Sequence, residues 1–268
     1  MLGLQIAFKD FNIGLGQAGS PWVGFKHFRT FFNSYQFSRL LSNTMVLSVY
    51  SIVANILPPI LLAVLLNECR ARYFKKAVQT ITYAPYFLSV VVVVGMIFQL
   101  FSQRGVVNTL IERMGGQAVT FTGSPDFFRN IYVWSGVWQV TGYNAVIYIA
   151  TLAGINPELH EAAMIDGANL VKKIWYVDLP SILPTAIILL ILSTANILNI
   201  GFEKVYLLQN PLNLRASDVI STYVYTTGLK NMDYSFASAV GMFQSVISLV
   251  LMAGVNKLAK TMSDVHLW

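Results

Sequence analysis

Five runs of about twenty mostly apolar residues dominate this chain, and each is long enough to cross a bilayer as a helix. Hydrophobic residues make up 55% of the 268 and charged residues only 11%, whereas a soluble domain carries about 25% charged residues. A backbone in lipid must satisfy its own hydrogen bonds, so such runs form helices. The sequence therefore predicts an all-α, polytopic membrane protein. The five predicted spans cover residues 42–66, 79–101, 131–153, 181–201 and 235–256.

Basic residues between the spans predict how the chain is oriented. Residues 67–77 carry four Lys or Arg against a single Glu, and lysines also occur in residues 157–180 and in the tail after residue 256. With five spans, these three segments lie on one side, and short basic connectors stay in the cytoplasm. The longer segments 10–40, 102–130 and 202–234 are then predicted to be external.

Prolines are predicted to interrupt the first two spans. Pro58-Pro59 lies inside the first run and Pro85 near the start of the second. Each proline removes a backbone donor, and packed membrane helices tolerate the resulting kink when neighbours satisfy the freed groups.

The charged segment between the third and fourth spans, residues 157–180, has the signals of a helical hairpin. Asn156 is a good N-cap and Pro157 suits the first turn of a helix. Gly167 adopts readily the left-handed conformation that ends a helix. A second short helix, at about residues 169–177, is predicted to run back towards the fourth span. The hairpin would lie at the cytoplasmic face of the membrane.

The spacing within this segment resembles a known motif. Glu161-Ala162-Ala163 is followed after three residues by Gly167, and then after nine by Val177-x-Leu179-Pro180. This pattern resembles the EAA loop of bacterial ABC-importer permeases, with Val177 in place of the usual Ile. In that family the loop docks into a cleft on a separate ATPase subunit. The coupling residues that the resemblance implies are Glu161, Ala162, Ala163, Asp166, Gly167, Leu179 and Pro180.

The resemblance extends over most of the chain. Its further motifs are Leu65-Leu66-Asn67-Glu68, Phe74-Lys75-Lys76, Thr80-x-Thr82-Tyr83-x-Pro85 and His266-Leu267-Trp268. They are similar to the permeases that import oligosaccharides or fragments of complex carbohydrates. The resemblance implies the helical bundle of type I ABC-importer permeases over residues 41–268, with the coupling loop at 157–180. Residues 1–40 resemble the end of a first transmembrane helix and an external segment, so we expect a preceding helix that is missing or truncated in this numbering.

The same resemblance implies partners and cofactors. We expect a second permease subunit in a heterodimer, two ATPase subunits that bind ATP and Mg²⁺, and an extracellular or periplasmic solute-binding protein that delivers an oligosaccharide. The expected site is the bacterial cytoplasmic membrane, where the chain contacts lipid. No cofactor is expected in this chain itself.

Enzymatic and other classes have little support. The chain contains no G-x-x-x-x-G-K-[ST] motif for ATP hydrolysis. No His, Asp or Glu lies in a predicted span, which leaves no catalytic residue and no metal site, and no rings of charge select ions as in many channels. In a membrane chain the net charge of +6 favours lipid headgroups over nucleic acid. A permease for another small polar solute, or a membrane enzyme or scaffold, remains as an alternative.

Neutral amides and aromatic rings supply the polar character of the spans. They include Asn55, Gln99, Trp134, Gln139 and Gln244. Such groups suit a sugar, whose hydroxyls need hydrogen-bond partners while its C–H faces stack on rings. They also serve as interfacial belts and as hydrogen bonds between helices. The residues predicted to line a substrate path are Trp138, Tyr143, Asn144, Asn196 and Asn199.

Overall fold

The chain is almost entirely helical in the computed structural model, which describes residues 2–195, 198 and 201–262. Within those residues the only extended pairing is an isolated antiparallel bridge between Lys9 and Trp22. The predicted all-α class is confirmed. The α-helices are α1 Gly16–Gly19, α2 Lys26–Phe32, α3 Phe37–Ala54, α4 Leu57–Glu68, α5 Arg72–Tyr83, α6 Val90–Phe101, α7 Val106–Arg113, α8 Pro125–Ala153, α9 Pro157–Ile165, α10 Leu170–Lys173, α11 Leu179–Ala195, α12 Phe202–Leu208, α13 Leu214–Ser217, α14 Ile220–Tyr225 and α15 Tyr234–Met262. Shorter 3₁₀ turns cover Leu2–Phe8 and Ala84–Phe87, and wide π-type turns cover Ile174–Asp178 and Thr226–Lys230.

Four helical stretches of the described chain are long and apolar enough to cross a membrane. They are Phe37–Glu68, Val90–Arg113, Leu170–Thr194 and Tyr234–Lys257. The remaining predicted span, 131–153, lies within α8, a single helix of 29 residues. At 1.5 Å per residue α8 rises about 43 Å, which is sufficient to cross a bilayer, but its amides and its charged first turn lower its hydropathy.

Prolines interrupt the first two predicted spans, as expected, but with different results. In the first, α3 ends at Ala54 and α4 begins at Leu57, so Pro58 and Pro59 occupy the first turn, where a missing N–H costs little. In the second, Pro85 separates α5 from α6. The prediction of one span over residues 79–101 is therefore wrong. Its first residues belong to α5, a basic amphipathic helix without a buried residue, and the apolar helix begins only at Val90.

The chain divides into two compact units. Unit 1 comprises Met1–Val49, Val90–Tyr132 and Ala195–Leu251, and unit 2 comprises Tyr50–Ser89, Val133–Thr194 and Met252–Trp268. All three segments that were predicted to be external fall in unit 1. All three that were predicted to be cytoplasmic fall in unit 2.

Unit 2 has a small aliphatic core between α4, α8 and α11. Ala63 and Val64 of α4 pack with Ala145 and Tyr148 of α8 and with Ile182 of α11. At Gly142 of α8 a side chain is excluded, because a Cβ there would meet the carbonyl of Thr82 in α5. Small residues thus let helices of this unit approach closely, as in other membrane bundles.

Unit 1 has an aromatic core. Phe31 of α2 is 1% exposed and lies with its ring centroid 5.1 Å from that of Phe37 and 5.6 Å from that of Phe243. The other buried members of the cluster are Leu40 of α3, Ile220 of α14, and Phe236 and Val240 of α15. Edge-to-face aromatic contacts of this kind add stabilisation beyond the area that they bury.

Candidate functional site

The segment 157–180 forms the predicted hairpin, which we call the coupling hairpin. Its first arm, α9, is capped by Asn156, whose Oδ1 accepts a hydrogen bond from the Glu158 amide at 3.1 Å. The arm ends at Ile165, and Gly167 follows with a φ of +74°. The Ala168 amide donates to the Ala163 carbonyl at 2.9 Å and closes the helix end. The predicted cap and the predicted glycine turn are both confirmed.

The second arm differs from the prediction in one respect. Asn169 caps α10, accepting from the Lys172 amide at 2.9 Å. Instead of ending near residue 177, the arm continues through the wide turn Ile174–Asp178 directly into α11. A wide turn keeps the backbone helical, so Leu179 and Pro180 continue the arm rather than end it. The hairpin and the fourth span are therefore one helical path.

Most of the predicted coupling residues are exposed, and two, Ala163 and Leu179, are partly buried. Glu161, Ala162, Asp166 and Gly167 are exposed around the turn. Pro180 is also exposed, and Ala163 is half-buried. Leu179 packs against the aliphatic core of unit 2, where it supports the hairpin from behind.

An apolar surface around the turn was missed by the sequence reasoning. Ile165 is 86% exposed, Tyr176 73%, Val171 71% and Trp175 64%. Large apolar side chains exposed in a segment that is predicted to lie outside the membrane are candidates for contact with a partner protein. The pairs Met164-Ile165 and Trp175-Tyr176, one in each arm, were the sequence signal for it.

Contacts between ionisable side chains of the hairpin and its neighbours were also missed. Lys173 of α10 pairs with Glu68 at the end of α4, with 2.7 Å between Nζ and Oε1. His160 Nε2 of α9 lies 3.6 Å from Oδ1 of the buried Asp178. These contacts join both arms of the hairpin to each other and the second arm to α4. Their partners lie 18 and 105 positions apart, which is why sequence spacing did not indicate them.

The predicted substrate-path residues are only partly brought together. Asn144 of α8 lines a cavity of about 330 Å³ in unit 2, together with Ser51, Asn55 and Ser193. The other walls of the cavity are aliphatic except for the ring of Tyr148. Asn55 Nδ2 donates to the Ser51 carbonyl at 2.7 Å, and its buried Oδ1 has no hydrogen-bond partner in the described chain. The cavity thus presents neutral polar groups on an apolar wall.

The aromatic candidates lie elsewhere in the same unit. Trp138 is 47% exposed and Tyr143 44%, and neither lines the cavity. The Tyr143 ring stacks on that of Tyr86 with centroids 3.8 Å apart. Asn196 and Asn199 lie outside the described residues.

Other amides and indoles act as ties within the units. Trp134 Nε1 donates to the Tyr50 hydroxyl at 2.9 Å, and Gln139 Nε2 donates to the Leu88 carbonyl at 3.1 Å. These hydrogen bonds tie α8 to α3 and to the backbone just before α6. Among the described residues, no three His, Cys, Asp or Glu side chains lie close enough to hold a metal ion.

Comparisons with known proteins agree with this arrangement. The chain is 41% identical to Protein LplB of Bacillus subtilis (strain 168) over 261 residues, which cover 97% of this chain and 82% of that protein. It is also 41% identical to the polygalacturonan/rhamnogalacturonan transport system permease protein YteP of the same organism, over 98% of this chain and 83% of that protein.

Solved structures give the same result. The fold matches a chain in the crystal structure of a bacterial alginate ABC transporter in complex with an alginate pentasaccharide-bound periplasmic protein. The TM-score is 0.92 at 38% identity, covering 100% of this chain and 89% of that chain. Residues 38–264 also match the family described as binding-protein-dependent transport system inner membrane component. The chain therefore belongs to this family, the membrane permease subunits of ABC importers.

Proposed function

We propose that this chain is one of two permease subunits of an importer that carries an oligosaccharide across the bacterial cytoplasmic membrane. A separate solute-binding protein delivers the saccharide on the outer side. Two ATPase subunits, which bind ATP and Mg²⁺, supply the energy on the inner side. The chain itself contains no P-loop, so ATP hydrolysis belongs to those partners. Likeness to the permease YteP and to the alginate transporter supports a saccharide as the substrate.

The coupling hairpin is the observation on which the proposal depends. Its exposed glycine turn, with Ala162 and the apolar side chains of Ile165 and Tyr176, offers a compact surface for a partner. Small residues at the turn let a socket approach the backbone closely. Because the second arm continues into α11, a push on the turn acts on a membrane helix without a flexible joint. We propose that Glu161, Ala162, Ala163, Asp166 and Gly167 contact the ATPase and that Leu179 and Pro180 transmit the movement.

The substrate path is proposed to include the cavity at Asn144. Its amides and hydroxyls on Asn55, Ser51 and Ser193 match sugar hydroxyls, while its aliphatic walls match C–H faces. Ligand pockets commonly combine a few polar groups with apolar walls. Trp138 and Tyr143 stay in the proposed path as exposed rings on which a sugar stacks.

Purification and transport together test the proposal. Isolated from its native membrane, the chain is expected to bring with it a second permease and a polypeptide carrying a P-loop. Proteoliposomes of that complex should accumulate oligosaccharide only with ATP inside and the binding protein outside. An Asn144→Ala variant should take up the saccharide with a weaker apparent affinity, by roughly twofold to tenfold for one lost hydrogen bond. Purification without any ATPase, or uptake that needs no ATP, would contradict the proposal.

A further inference from the structure

Unit 1 contains a polar cleft of about 660 Å³, separate from the cavity at Asn144. Most of its lining lies in segments that the charge pattern predicts to be external, and Ser42 and Asn43 lie at the start of the first predicted span. Arg39 and Asn43 of α3, Arg129 near the start of α8 and Arg215 of α13 line it. We call it the arginine cleft.

Positive charge exceeds negative charge in the arginine cleft. Arg39 pairs with Asp218, with 2.7 Å between Nη2 and Oδ2. Arg129 is bound instead to a neutral group, the Asn43 Oδ1, at 3.0 Å. Arg215 is exposed and forms no ion pair within the described part of the chain. The lining itself contains a single carboxylate, that of Asp126. Neither Arg129 nor Arg215 therefore forms an ion pair with a carboxylate among the described residues.

The cleft is held rigidly by one buried amide. Asn43 is 3% exposed, and its Nδ2 donates to the carbonyls of Arg215 at 2.9 Å and Asp218 at 3.0 Å. Its Oδ1 accepts from Arg129. One side chain therefore fixes the α13 backbone and one guanidinium. The Nε atoms of Arg39 and Arg129 are buried and lack a hydrogen-bond partner among the described residues. Guanidinium groups that line a cleft and are positioned by a buried amide are suited to planar anions such as carboxylates.

We propose that the arginine cleft binds carboxylate groups of an acidic oligosaccharide as it enters the transporter. This inference rests on the proposed function and adds a substrate class, chains containing uronic acid. The cleft is concave and places the Ser42 hydroxyl beside the arginines, which suits a polyhydroxylated acid better than it suits a flat protein partner. Two similar proteins are named for the transport of acidic polymers, YteP for polygalacturonan and a bacterial ABC transporter for the acidic polysaccharide alginate. Arg129 and Arg215 are the residues that would select charge.

The test compares two probes that differ in charge and by one methyl group on each carboxyl. Proteoliposomes containing the complete transporter and its binding protein receive trigalacturonate or its fully methyl-esterified form. The measured quantity is the ratio of the two uptake rates. The same binding protein is used throughout, so its own preference cancels when variants are compared with the native chain. Arg129→Gln, Arg129→Lys and Arg215→Gln are tested, with Arg104→Gln as the control because Arg104 is an exposed arginine of the same unit outside the cleft.

Arg129→Gln is expected to lower the acid-to-ester ratio roughly fivefold to tenfold, because it removes a charge-assisted hydrogen bond. Arg129→Lys keeps the charge without the planar guanidinium and should restore part of the ratio. Arg215→Gln should lower it by about twofold, as expected for a more exposed charge. Arg104→Gln should leave it unchanged. Equal loss for both probes would overturn the inference, since docking of the binding protein or a folding defect acts on both alike. Uptake of the ester alone by the native chain would also overturn it. If neither probe enters although the complex hydrolyses ATP, the proposed saccharide function fails together with this inference.

Discussion

The coupling hairpin in unit 2 and the external part of unit 1 are held in shape by different kinds of contact. In the hairpin, the capping side chains bind backbone groups two or three positions away, as Asn156 does with Glu158 and Asn169 with Lys172. In unit 1, Asn43 and Asn213 bind carbonyls that lie 172 and 91 positions away. The caps of the hairpin are local contacts, although Lys173 also ties its second arm to Glu68, so altering the turn should change little else. In unit 1 a single amide binds several distant segments, so changing that amide weakens the packing of all of them.

This difference predicts that the hairpin can lose its function without unfolding the protein. Gly167→Val places a β-branched residue at a φ of +74°, a conformation that such residues strongly disfavour. Substrate-stimulated ATPase activity of the reconstituted complex should fall to near zero, while the amount of protein in the membrane stays close to native. Gly254→Val is the matched control, because Gly254 has an ordinary helical conformation and open space around it. Normal stimulated activity in Gly167→Val would show that the turn is not needed for coupling.

Unit 1 should respond in the opposite way, by losing stability. Asn213 is 1% exposed. Its Nδ2 donates to the carbonyls of Thr122 and Leu208, both at 3.0 Å, and its Oδ1 accepts from the Ser217 hydroxyl and the Asn210 amide. Asn213→Ala leaves these buried groups without partners, which should cost about 3 kcal/mol of unfolding free energy.

Chemical unfolding of the detergent-solubilised protein measures that loss. Asn33→Ala is the control, because Asn33 is exposed at the end of α2, and its free energy of unfolding should change by less than about 0.5 kcal/mol. A loss for Asn213→Ala as small as that of Asn33→Ala would mean that unit 1 does not depend on its long-range amides.

A buried lysine makes the stability of unit 1 depend on pH. Burial lowers the pKa of Lys204 from its ordinary value of 10.5 to about 8. Its Nζ donates to the Tyr132 carbonyl at 3.2 Å. Below pH 8 the amine is charged in both the folded and the unfolded state, and its desolvation penalty is fully present. Between pH 8 and pH 10.5 the folded state releases the proton while the unfolded state keeps it, so stability rises with pH.

The expected gain from Lys204 is about 2 kcal/mol between pH 8 and pH 10. The measurement is chemical unfolding of the native chain and of Lys204→Met at both pH values, because the methionine variant removes this titration and keeps the others. From pH 8 to pH 10 the free energy of unfolding of the native chain should rise by about 2 kcal/mol relative to that of the variant. A constant difference between the two proteins would show that Lys204 is not desolvated in the folded state.

The smallest expected effect is on the hairpin cap. Asn156→Ala removes the acceptor for the Glu158 amide and should cost the first arm about 1 kcal/mol. Stimulated ATPase activity is then expected to fall by about twofold, while Asn156→Asp, which keeps an acceptor oxygen, should stay near native. Equal stimulated ATPase activity in the native protein and in both variants would show that the cap is not needed for coupling.

The features that the sequence predicted correctly are those that depend on local contacts. The helix end at Gly167, the cap at Asn156 and the break at Pro58-Pro59 depend on residues next to one another, and all are present in the structure. The predicted extent of the second span, residues 79–101, was wrong, because an apolar run does not reveal that one helix ends just before Pro85 and another begins after it.

Contacts between distant residues left no signal in a single sequence. The pairing of Lys173 with Glu68, the neighbouring His160 and Asp178, and the meeting of Asn55 with Asn144 at one cavity all depend on how helices pack. The amide pattern of the spans indicated that polar groups matter. It did not indicate which of them line a cavity and which, like Gln139, tie helices together.

Contact between the coupling hairpin and an ATPase is tested most directly by site-specific crosslinking in the native membrane. The single cysteine, Cys69, is replaced by serine, and one new cysteine is introduced at Ala162 or, as a control, at Tyr35, which is 87% exposed in unit 1. A short thiol crosslinker should join the Ala162→Cys chain, and not the Tyr35→Cys chain, to a polypeptide that carries a P-loop. Failure of Ala162→Cys to crosslink, together with its labelling by a membrane-impermeant thiol reagent added outside intact cells, would contradict the assignment.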